Sequence, residues 1–365
     1  MRKLATIRKI KDIQPILDAD NIEKAIIDGW EVVISKKDNF KIGDLVVYIE
    51  IDSIVPERPE FEFLRNKNFR IRTTKFLGQI SQGLILPLHI LPNVKSTFYE
   101  NDDVTEILGV KKYDPQVEDE LKLQEQTNIK STNPLINFLL RFKFFRRQYI
   151  KSNYFDNSFP SGVSKTDEER IQNLTNQYSE FKKYKYFVTE KIDGQSATYV
   201  LDLKKSKNKQ FIVASRNFSI AQDDSSYWFC AEKYQIEKLL RKIAKQYPDA
   251  DKFVIQGEIL APKIQGNKYK KDEPELFVFN IIINGKLLDY NQQKILLKDS
   301  LLENNQVELL YEDFELPDTV ADLINLSKGK SKLAKINREG IVVRNYEKSI
   351  SFKAINPDFL LIFEE

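Results

Sequence analysis

The sequence predicts an α+β protein built from two unequal parts. Its first hundred residues carry short apolar segments separated by turn signals, the pattern of a small β-rich domain. The second half alternates strand-like segments with longer helical stretches, which is typical of a mixed domain with helices flanking a largely antiparallel sheet. A chain of 365 residues is long enough for two domains and a connecting segment.

The amino-terminal domain is expected over residues 1–96. Its short strands, with breaks at Asp28-Gly29, Gly43-Asp44 and Pro56, suit a small β-barrel of the OB type. The expected strands cover residues 4–7, 25–27, 30–34, 45–49 and 83–88.

Three basic residues stand close together inside this domain. Arg70 and Arg72 would share one strand face because side chains alternate with a period of two, and Lys75 follows them. These side chains could bind phosphates, or they could be the charges that protect an edge strand from pairing with another chain. The sequence leaves both interpretations open.

Residues 97–180 are expected to form a linker with a helical segment. The apolar positions of residues 134–149 fit a helix with a basic face. Such a helix could lie on a membrane surface, but the lack of other membrane features favours a place between the domains. Thr166-Asp167-Glu168-Glu169 has the Thr-x-x-Glu pattern of a capping box, so a second helix is expected to begin there.

The carboxyl-terminal domain is expected over residues 181–365. No glycine-rich phosphate loop of the P-loop or Rossmann type occurs, so a nucleotide would have to be held by side chains. Strands are expected at 184–191, 196–203, 210–215, 252–259, 275–283 and 340–344. Helices are expected at 226–247, 290–303 and 317–327.

The composition excludes several kinds of site. One cysteine and one histidine allow neither an internal disulfide nor a zinc site with His and Cys ligands. A metal would need oxygen ligands, which favours Mg²⁺ or Mn²⁺. The sequence contains neither a signal-peptide core nor an apolar run of about 18 residues. Its formal net charge is only +3, and a soluble, cytoplasmic protein is expected.

One lysine stands where an apolar strand must turn. Residues 184–188 lead to Lys191-Ile192-Asp193-Gly194, in which Asp-Gly is a turn signal. A lysine held beside other cations can lose its proton near neutral pH and become a covalent nucleophile. Taken alone, the stretch is more simply a surface lysine before an Asp-Gly hairpin.

Four clusters follow this lysine along the chain. They are Ser215-Arg216-Asn217, Gln256-Gly257-Glu258-Ile259, the aromatic strand 276–281, and Glu339-Gly340 with Lys353 downstream. Each alone is a strand or strand end with a charged or aromatic residue. As an ordered set that begins at Lys191, they resemble the motifs of the covalent nucleotidyltransferase superfamily, which comprises RNA ligases, DNA ligases and capping enzymes.

A closer resemblance is to the ATP-dependent RNA ligases of the Deinococcus/Naegleria type. These carry an OB domain before a nucleotidyltransferase domain of the ATP-grasp-like ligase kind. The resemblance includes residues 78–84 and 164–173 and covers nearly the whole chain. DNA ligases and capping enzymes place an OB domain after the last motif, and the twelve residues that follow Lys353 leave no room for one.

The resemblance implies that ATP and Mg²⁺ or Mn²⁺ are the cofactors. Lys191 would form a lysyl-AMP, AMP would pass to an RNA 5′-phosphate, and a 3′-OH would then close the strand. Lys353 would stabilise the α-phosphate, and Asp193 would bind metal or orient the lysine. Glu258 would bind ribose or metal, and Glu339 metal.

The same resemblance implies the nucleotide contacts. Thr189 and Glu190 would reach the adenine edge, Phe279 rather than Phe277 would stack on the base, and Arg216 would contact ribose or an RNA phosphate. The full nucleotide-binding set is Thr189, Glu190, Ile192, Arg216, Glu258, Phe279 and Lys353. Arg70, Arg72 and Lys75 are the candidate RNA contacts of the amino-terminal domain.

The chain departs from the family pattern at Ile355. Many relatives have Lys-x-Lys in the last motif, whereas here an isoleucine stands two residues after Lys353. The second phosphate contact would then come from another lysine or from a second metal. Lys263 and Lys268 are candidates.

The function expected from the sequence is ATP-dependent sealing of 3′-OH/5′-phosphate RNA ends, in particular nicks in a duplex, by a monomer without membrane partners. A DNA ligase, a capping-type nucleotidyltransferase and a non-catalytic RNA-binding protein are the alternatives. The presence of Lys191, Glu258, Glu339 and Lys353 together argues against the last of these, because a binding module has no need of all four.

Overall fold

The structure is a computed structural model that describes residues 3–92, 97–113, 158–222 and 224–363, with five more at 138, 139, 141, 142 and 145. Strands and helices are numbered over these residues. The helix predicted at 134–149 lies almost entirely outside them. Within the described ranges, no helix is long and apolar enough to span a membrane.

Short antiparallel strands form the amino-terminal half. They are β1 (Ala5–Lys9), β2 (Asp12–Pro15), β3 (Ile22–Ile27), β4 (Trp30–Ser35), β5 (Leu45–Ile49), β6 (Ser53–Ile54), β7 (Arg70–Ile71), β8 (Thr73–Phe76), β9 (Gln79–Gln82), β10 (Leu84–Pro87) and β11 (Lys111–Lys112). All five predicted strands are present. In strand β4 buried Trp30, Val32 and Ile34 alternate with less buried residues, so the strand turns one face to the core.

Among the described residues, the predicted OB-type domain is built from strands that do not close into one continuous barrel. The strands form separate ladders around a shared core: β1-β5-β10, β2-β3-β4, β11-β6-β7 and β8-β9. Asp28 and Asp52 have positive φ at sharp turns, the first within the β3-β4 hairpin and the second between β5 and β6, which belong to different ladders.

The amino-terminal core continues into the end of the chain. Its buried residues include Leu108, in helix α1 (Thr105–Leu108), and also Ile355, Phe359 and Leu360. The last helix therefore attaches the carboxyl-terminal half to the amino-terminal domain through apolar contacts. The domain boundaries at 96 and 180 stay predictions.

Two antiparallel sheets form the carboxyl-terminal half. One has the strand order β15-β14-β13-β16-β17-β18 and the other β19-β12-β20-β21. The strands are β12 (Lys185–Lys191), β13 (Gln195–Asp202), β14 (Phe211–Ala214), β15 (Ser219–Ile220), β16 (Lys252–Leu260), β17 (Glu275–Ile283), β18 (Lys286–Leu287), β19 (Leu309–Glu315), β20 (Gly340–Asn345) and β21 (Ile350–Ile355). The six predicted strands are present, and β15, β18, β19 and β21 were not predicted.

The helices of this half are shorter than the sequence predicts. They are α2 (Tyr178–Phe181), α3 (Ser226–Lys233), α4 (Ile236–Ala244), α5 (Tyr290–Leu297), α6 (Val320–Ser327) and α7 (Pro357–Phe363). A single helix over 226–247 is wrong, because Gln235 has a φ of 49° and a left-handed residue interrupts the helical backbone. The helix predicted at 317–327 begins only after Thr319, whose hydroxyl accepts from Asp322 N–H.

The predicted helix start at Thr166 is also wrong. The segment is extended, Lys353 N–H donates to Glu169 O at 2.8 Å, and a short 3₁₀ stretch begins only at Ile171. Thr166 Oγ1 lies 2.6 Å from Ser196 Oγ instead of capping a helix. The intervening residues Asp167 and Glu168 form ion pairs in the cavity described below.

A β-bulge in strand β17 directs an aromatic residue away from the sheet core. Gln256 pairs with Asn280 and Gly257 with Val278, so Phe279 is the extra residue. Phe279 packs partly against a small apolar cluster that includes Ile192.

Candidate active site

A cavity of about 370 Å³ lies between the two halves of the chain. The amino-terminal domain, the extended segment at 166–170, both carboxyl-terminal sheets and helix α7 contribute to its lining. It contains most of the predicted site residues: Arg70, Thr189, Glu190, Lys191, Ile192, Asp193, Arg216, Glu258, Phe279, Glu339 and Lys353. Arg72 and Lys75 are not among the lining residues.

Lys191 ends strand β12 at the junction of the two carboxyl-terminal sheets. Strand β12 pairs with β19 and β20, whereas β13, which follows the Asp193-Gly194 turn, belongs to the other sheet. The hairpin interpretation of Asp-Gly is therefore wrong, because the two flanking strands do not pair. The turn carries the chain from one sheet to the other and leaves Lys191 at the cavity between them.

Glu339 is the ion-pair partner of this lysine. Lys191 Nζ lies 2.8 Å from Glu339 Oε2, and the two side chains are 24% and 13% exposed. Lys191 pairs in register with Gly340, the residue after the glutamate. A side chain at 340 would collide with the Ala354 carbonyl, so glycine allows strands β20 and β21 to approach closely here.

A second carboxylate comes from strand β16. Gly194 N–H donates to Glu258 Oε1 at 3.1 Å. Burial raises the pKa of Glu258 to about 7, although the Lys191 ammonium acts in the opposite direction. Burial also raises the pKa of Glu339. This end of the cavity thus concentrates acidic groups whose charged forms are costly without a cation.

These carboxylates also determine whether Lys191 is protonated. Burial alone would lower the pKa of Lys191, but Glu339 and then Glu258 outweigh it, so the pKa is raised. Lys353 pairs with a different carboxylate, Asp167. The described surroundings of Lys191 therefore favour the ammonium.

The donor set fits a hard divalent cation. Glu258 and Glu339 offer carboxylate oxygens, the ligands that Mg²⁺ and Mn²⁺ prefer. In the described parts of the chain, no group of three or more His, Cys, Asp or Glu side chains is arranged to hold a metal by itself. Two carboxylates suit a cation that is shared with the phosphates of a substrate.

A second end of the cavity, around Asp167, has the reverse charge arrangement. There Asp167 Oδ2 lies 2.7 Å from Arg216 Nη2 and 3.0 Å from Lys112 Nζ, and Asp167 Oδ1 lies 3.2 Å from Lys353 Nζ. Burial alone would raise the pKa of this carboxyl group, but Lys353, Arg216 and Lys112 hold it well below its usual range. Three cations from distant parts of the chain thus converge on one carboxylate.

A second acidic residue of the same segment, Glu168, also forms an ion pair at this end of the cavity. Glu168 Oε1 pairs with Arg344 Nη2 at 2.9 Å, and Arg344 Nη1 donates to the Phe279 carbonyl at 3.1 Å. The sequence patterns did not indicate Asp167, Glu168, Arg344 or Lys112 as site residues. The acidic run at 167–169 is the one signal for this end of the cavity, and its Thr-x-x-Glu pattern also predicts a helix cap.

The apolar part of the cavity contains the predicted base-binding residues. Thr189 and Glu190 are both buried in strand β12. Glu190 Oε2 accepts from Lys332 N–H at 2.8 Å, while its buried Oε1 has no hydrogen-bond partner within the described residues. Phe279 lines the cavity and is partly accessible, whereas Phe277 is only 5% exposed and lies outside the lining. This favours Phe279 over Phe277 as the stacking residue.

Comparisons with known proteins agree with this arrangement. A family model for an OB-fold domain matches residues 4–88, and one for RNA ligase matches residues 184–355. The solved structure of an apo variant of Naegleria gruberi RNA ligase is 32% identical, covers 98% of this chain and 97% of that chain, and has a TM-score of 0.77. The chain belongs to the RNA ligase family. The resemblance stated from the sequence is thereby confirmed.

Two further structures of the Naegleria gruberi RNA ligase contain ligands. A variant with ATP and Mn is 31% identical over 100% of both chains, with a TM-score of 0.78. A variant with AMP and Mn is 32% identical, covers 98% of both chains and has a TM-score of 0.76. No curated protein sequence matches the chain.

In this RNA ligase, the three predicted basic residues of the amino-terminal domain do not all lie at the cavity. Arg70 lies 3.5 Å from Asp52, and its guanidinium stacks 3.7 Å from the Tyr113 ring centre at the cavity. Arg72 follows the end of strand β7, so the continuous strand face expected for Arg70 and Arg72 is interrupted, and Lys75 is exposed. Their role in RNA binding stays a prediction.

The two loop lysines also differ. Lys268 Nζ pairs with Asp193 and lies 5.0 and 5.2 Å from the ring centres of Phe359 and Phe363. Lys263 is exposed and lies outside the cavity lining. Lys268 therefore belongs to the carboxylate-rich end, where it offsets the charge of Asp193.

Proposed function

We propose that the protein is an ATP-dependent ligase that seals 3′-OH/5′-phosphate RNA ends through a lysyl-AMP on Lys191. The observation that carries this proposal is the placement of Lys191 beside Glu339 in a cavity that also contains Lys353 and Arg216. The ATP and the AMP in the related Naegleria gruberi structures support the choice of nucleotide.

In the first step, Lys191 Nζ attacks the α-phosphorus of ATP. A phosphorus–nitrogen bond forms, the bond to the bridging oxygen of pyrophosphate breaks, and pyrophosphate leaves with its electrons. The ammonium must first lose a proton, and Glu339, 2.8 Å away, is positioned to accept it. Lys353 and Arg216 would offset the negative charge that develops on the α-phosphate oxygens.

Glu258 and Glu339 would hold the divalent cation, with Asp193 close by. Mn is present in the related structures with ATP and with AMP. When bound, the cation neutralises phosphate charge and opposes the carboxylates that stabilise the Lys191 ammonium. The stacking face of Phe279 and the free oxygen of Glu190 would orient the adenine.

In the later steps, AMP passes from Lys191 to the RNA 5′-phosphate, and the 3′-OH then displaces AMP to form the phosphodiester. The amino-terminal domain would hold the RNA, with Arg70, Arg72 and Lys75 as phosphate contacts. A nick in a duplex, bound by a monomer in the cytoplasm, remains our proposal for the physiological substrate.

The test is incubation with Mg²⁺ and α-labelled ATP, followed by a sealing assay on nicked duplexes. We expect AMP on the intact protein, no adduct in Lys191→Ala, and sealing of RNA ends. Competition by GTP or NAD tests for a different nucleotide, and RNA or DNA on each side of the nick tests for a DNA ligase. Salt-dependent RNA binding without any adduct would instead support a non-catalytic binding protein.

A further inference from the structure

The structure explains why the second lysine of the last motif is missing. Along strand β21, Phe352 and Ala354 face a buried core, whereas Lys353 and Ile355 line the cavity. Ile355 is only 2% exposed and belongs to the apolar core shared with the amino-terminal domain. A lysine at this position would place a charge among apolar side chains, which is costly.

Another lysine is brought to Lys353 from the amino-terminal half. Lys112 Nζ and Arg216 Nη2 contact the same oxygen of Asp167, at 3.0 and 2.7 Å, and Lys353 contacts the other oxygen. The geometry therefore places the three cations around a space no larger than a carboxylate. An anion that is bound by both Arg216 and Lys353 lies within reach of Lys112.

The position of Lys112 is fixed by its strand. Strand β11 pairs with β6, and Tyr113 N–H donates to Asp52 O at 2.8 Å. The Tyr113 side chain stacks with Arg70 at the cavity. Lys112 is the residue before Tyr113 and lines the same cavity. Its neighbour Lys111 is exposed and lies outside the cavity lining.

We propose that Lys112 supplies the missing cation and binds a phosphate group of the substrate together with Arg216 and Lys353. The phosphate would lie beside Asp167 and share its three cations, because a phosphate accepts the same charge-assisted contacts as a carboxylate. The phosphate comes either from ATP or from the 5′ end of the RNA. The proposal rests on the proposed ligase function, and it makes the amino-terminal half part of the nucleotidyl-transfer site.

The test compares Lys112→Met, which keeps the aliphatic stem, with the matched control Lys111→Met and the charge-preserving Lys112→Arg. One assay measures the rate of AMP labelling at varied ATP, and the other measures AMP transfer from preloaded protein to 5′-phosphorylated RNA. Thermal unfolding is measured for every variant. The dependence of each rate on salt concentration is measured as well.

We expect Lys112→Met to slow one of the two reactions by about tenfold, the usual effect of losing a hydrogen bond to a charged group. The reaction that slows identifies ATP or the RNA end as the source of the phosphate. The slope of the logarithm of that rate against the logarithm of the salt concentration should become less steep by about one. Lys112→Arg should keep most of the rate, and Lys111→Met all of it.

Unchanged rates in Lys112→Met would overturn the assignment. Equal slowing of both reactions, with a lower melting temperature and no rescue by arginine, would also overturn it, because Lys112 would then only hold the two halves together. If the wild-type protein forms no adduct at all, the proposed function fails first. If the wild type labels normally and Lys112→Met matches it, only the role of Lys112 fails.

Discussion

The two ends of the cavity have opposite charge arrangements. At one end, a lysine, Lys191, is surrounded by the carboxylates of Glu339, Glu258 and Asp193. At the other end, a carboxylate, Asp167, is surrounded by Lys353, Arg216 and Lys112. The first arrangement suits a nucleophile and a metal, and the second suits the phosphate on which they act. The proposed transfer reaction would use both ends, and the following variants alter one part of the cavity at a time.

The largest effect is expected from Lys353→Met at the cationic end. Loss of a charge that stabilises the transition state should lower the rate of AMP labelling by about a hundredfold. Lys348→Met, an exposed lysine in the turn before the same strand, is the control. A labelling rate within about threefold of wild type, measured at saturating ATP, would place the phosphate elsewhere.

A smaller effect is expected from Glu339→Gln at the carboxylate end. The amide removes a metal ligand and the proton acceptor, so labelling should fall between about tenfold and a hundredfold and need more metal. Because Glu339 contributes most to raising the pKa of Lys191, the variant should also lower that pKa. An amine reagent applied without ATP should then modify Lys191 at lower pH than in wild type. The same pH profile in both proteins would contradict the ion pair.

Phe279→Ala tests the predicted base-binding part of the cavity. Loss of base stacking should raise the KM for ATP by about tenfold, with a smaller change in kcat. Phe279→Tyr keeps the ring and should restore the KM. If Phe277→Leu affects KM more than Phe279→Ala does, the stacking residue has been misassigned.

The smallest effect is expected in the stability of Asp167→Asn. The folded-state pKa of Asp167 is lowered, so its ion pairs stabilise the fold fully above the unfolded value and lose that contribution as the pH falls toward the folded value. Asp167→Asn should therefore be less stable than wild type at neutral pH. The difference in unfolding free energy should shrink only below about pH 4. A difference that is constant down to pH 3 would mean that the carboxylate charge is not what stabilises the wild type.

The carboxylate end could be predicted from the sequence, because its residues lie in ordered motifs at strand ends. Lys191, Glu258 and Glu339 lie together as expected. What the pattern did not indicate was the topology at Asp193-Gly194, because a turn signal does not say whether the flanking strands pair. The turn leads from one sheet to the other because strands β12 and β13 belong to different sheets.

The cationic end could be predicted only in part. Lys353 and Arg216 were expected, but Asp167 resembled a helix cap, since Thr-x-x-Glu is a local pattern and its ion-pair partners are distant in sequence. Lys112 lies outside every motif and reaches the cavity through the pairing of strand β11. Long-range contacts of this kind leave no periodicity in the sequence.

The central claim is that Lys191 carries AMP, and mass spectrometry tests it most directly. Protein incubated with ATP and Mg²⁺ is digested, and the peptides are searched for the added mass of AMP. We predict that the modification lies on the peptide containing Lys191, that it is lost on addition of pyrophosphate, and that the Lys191→Ala protein lacks it. AMP on a different lysine, or an unmodified protein that still seals RNA, would contradict the account.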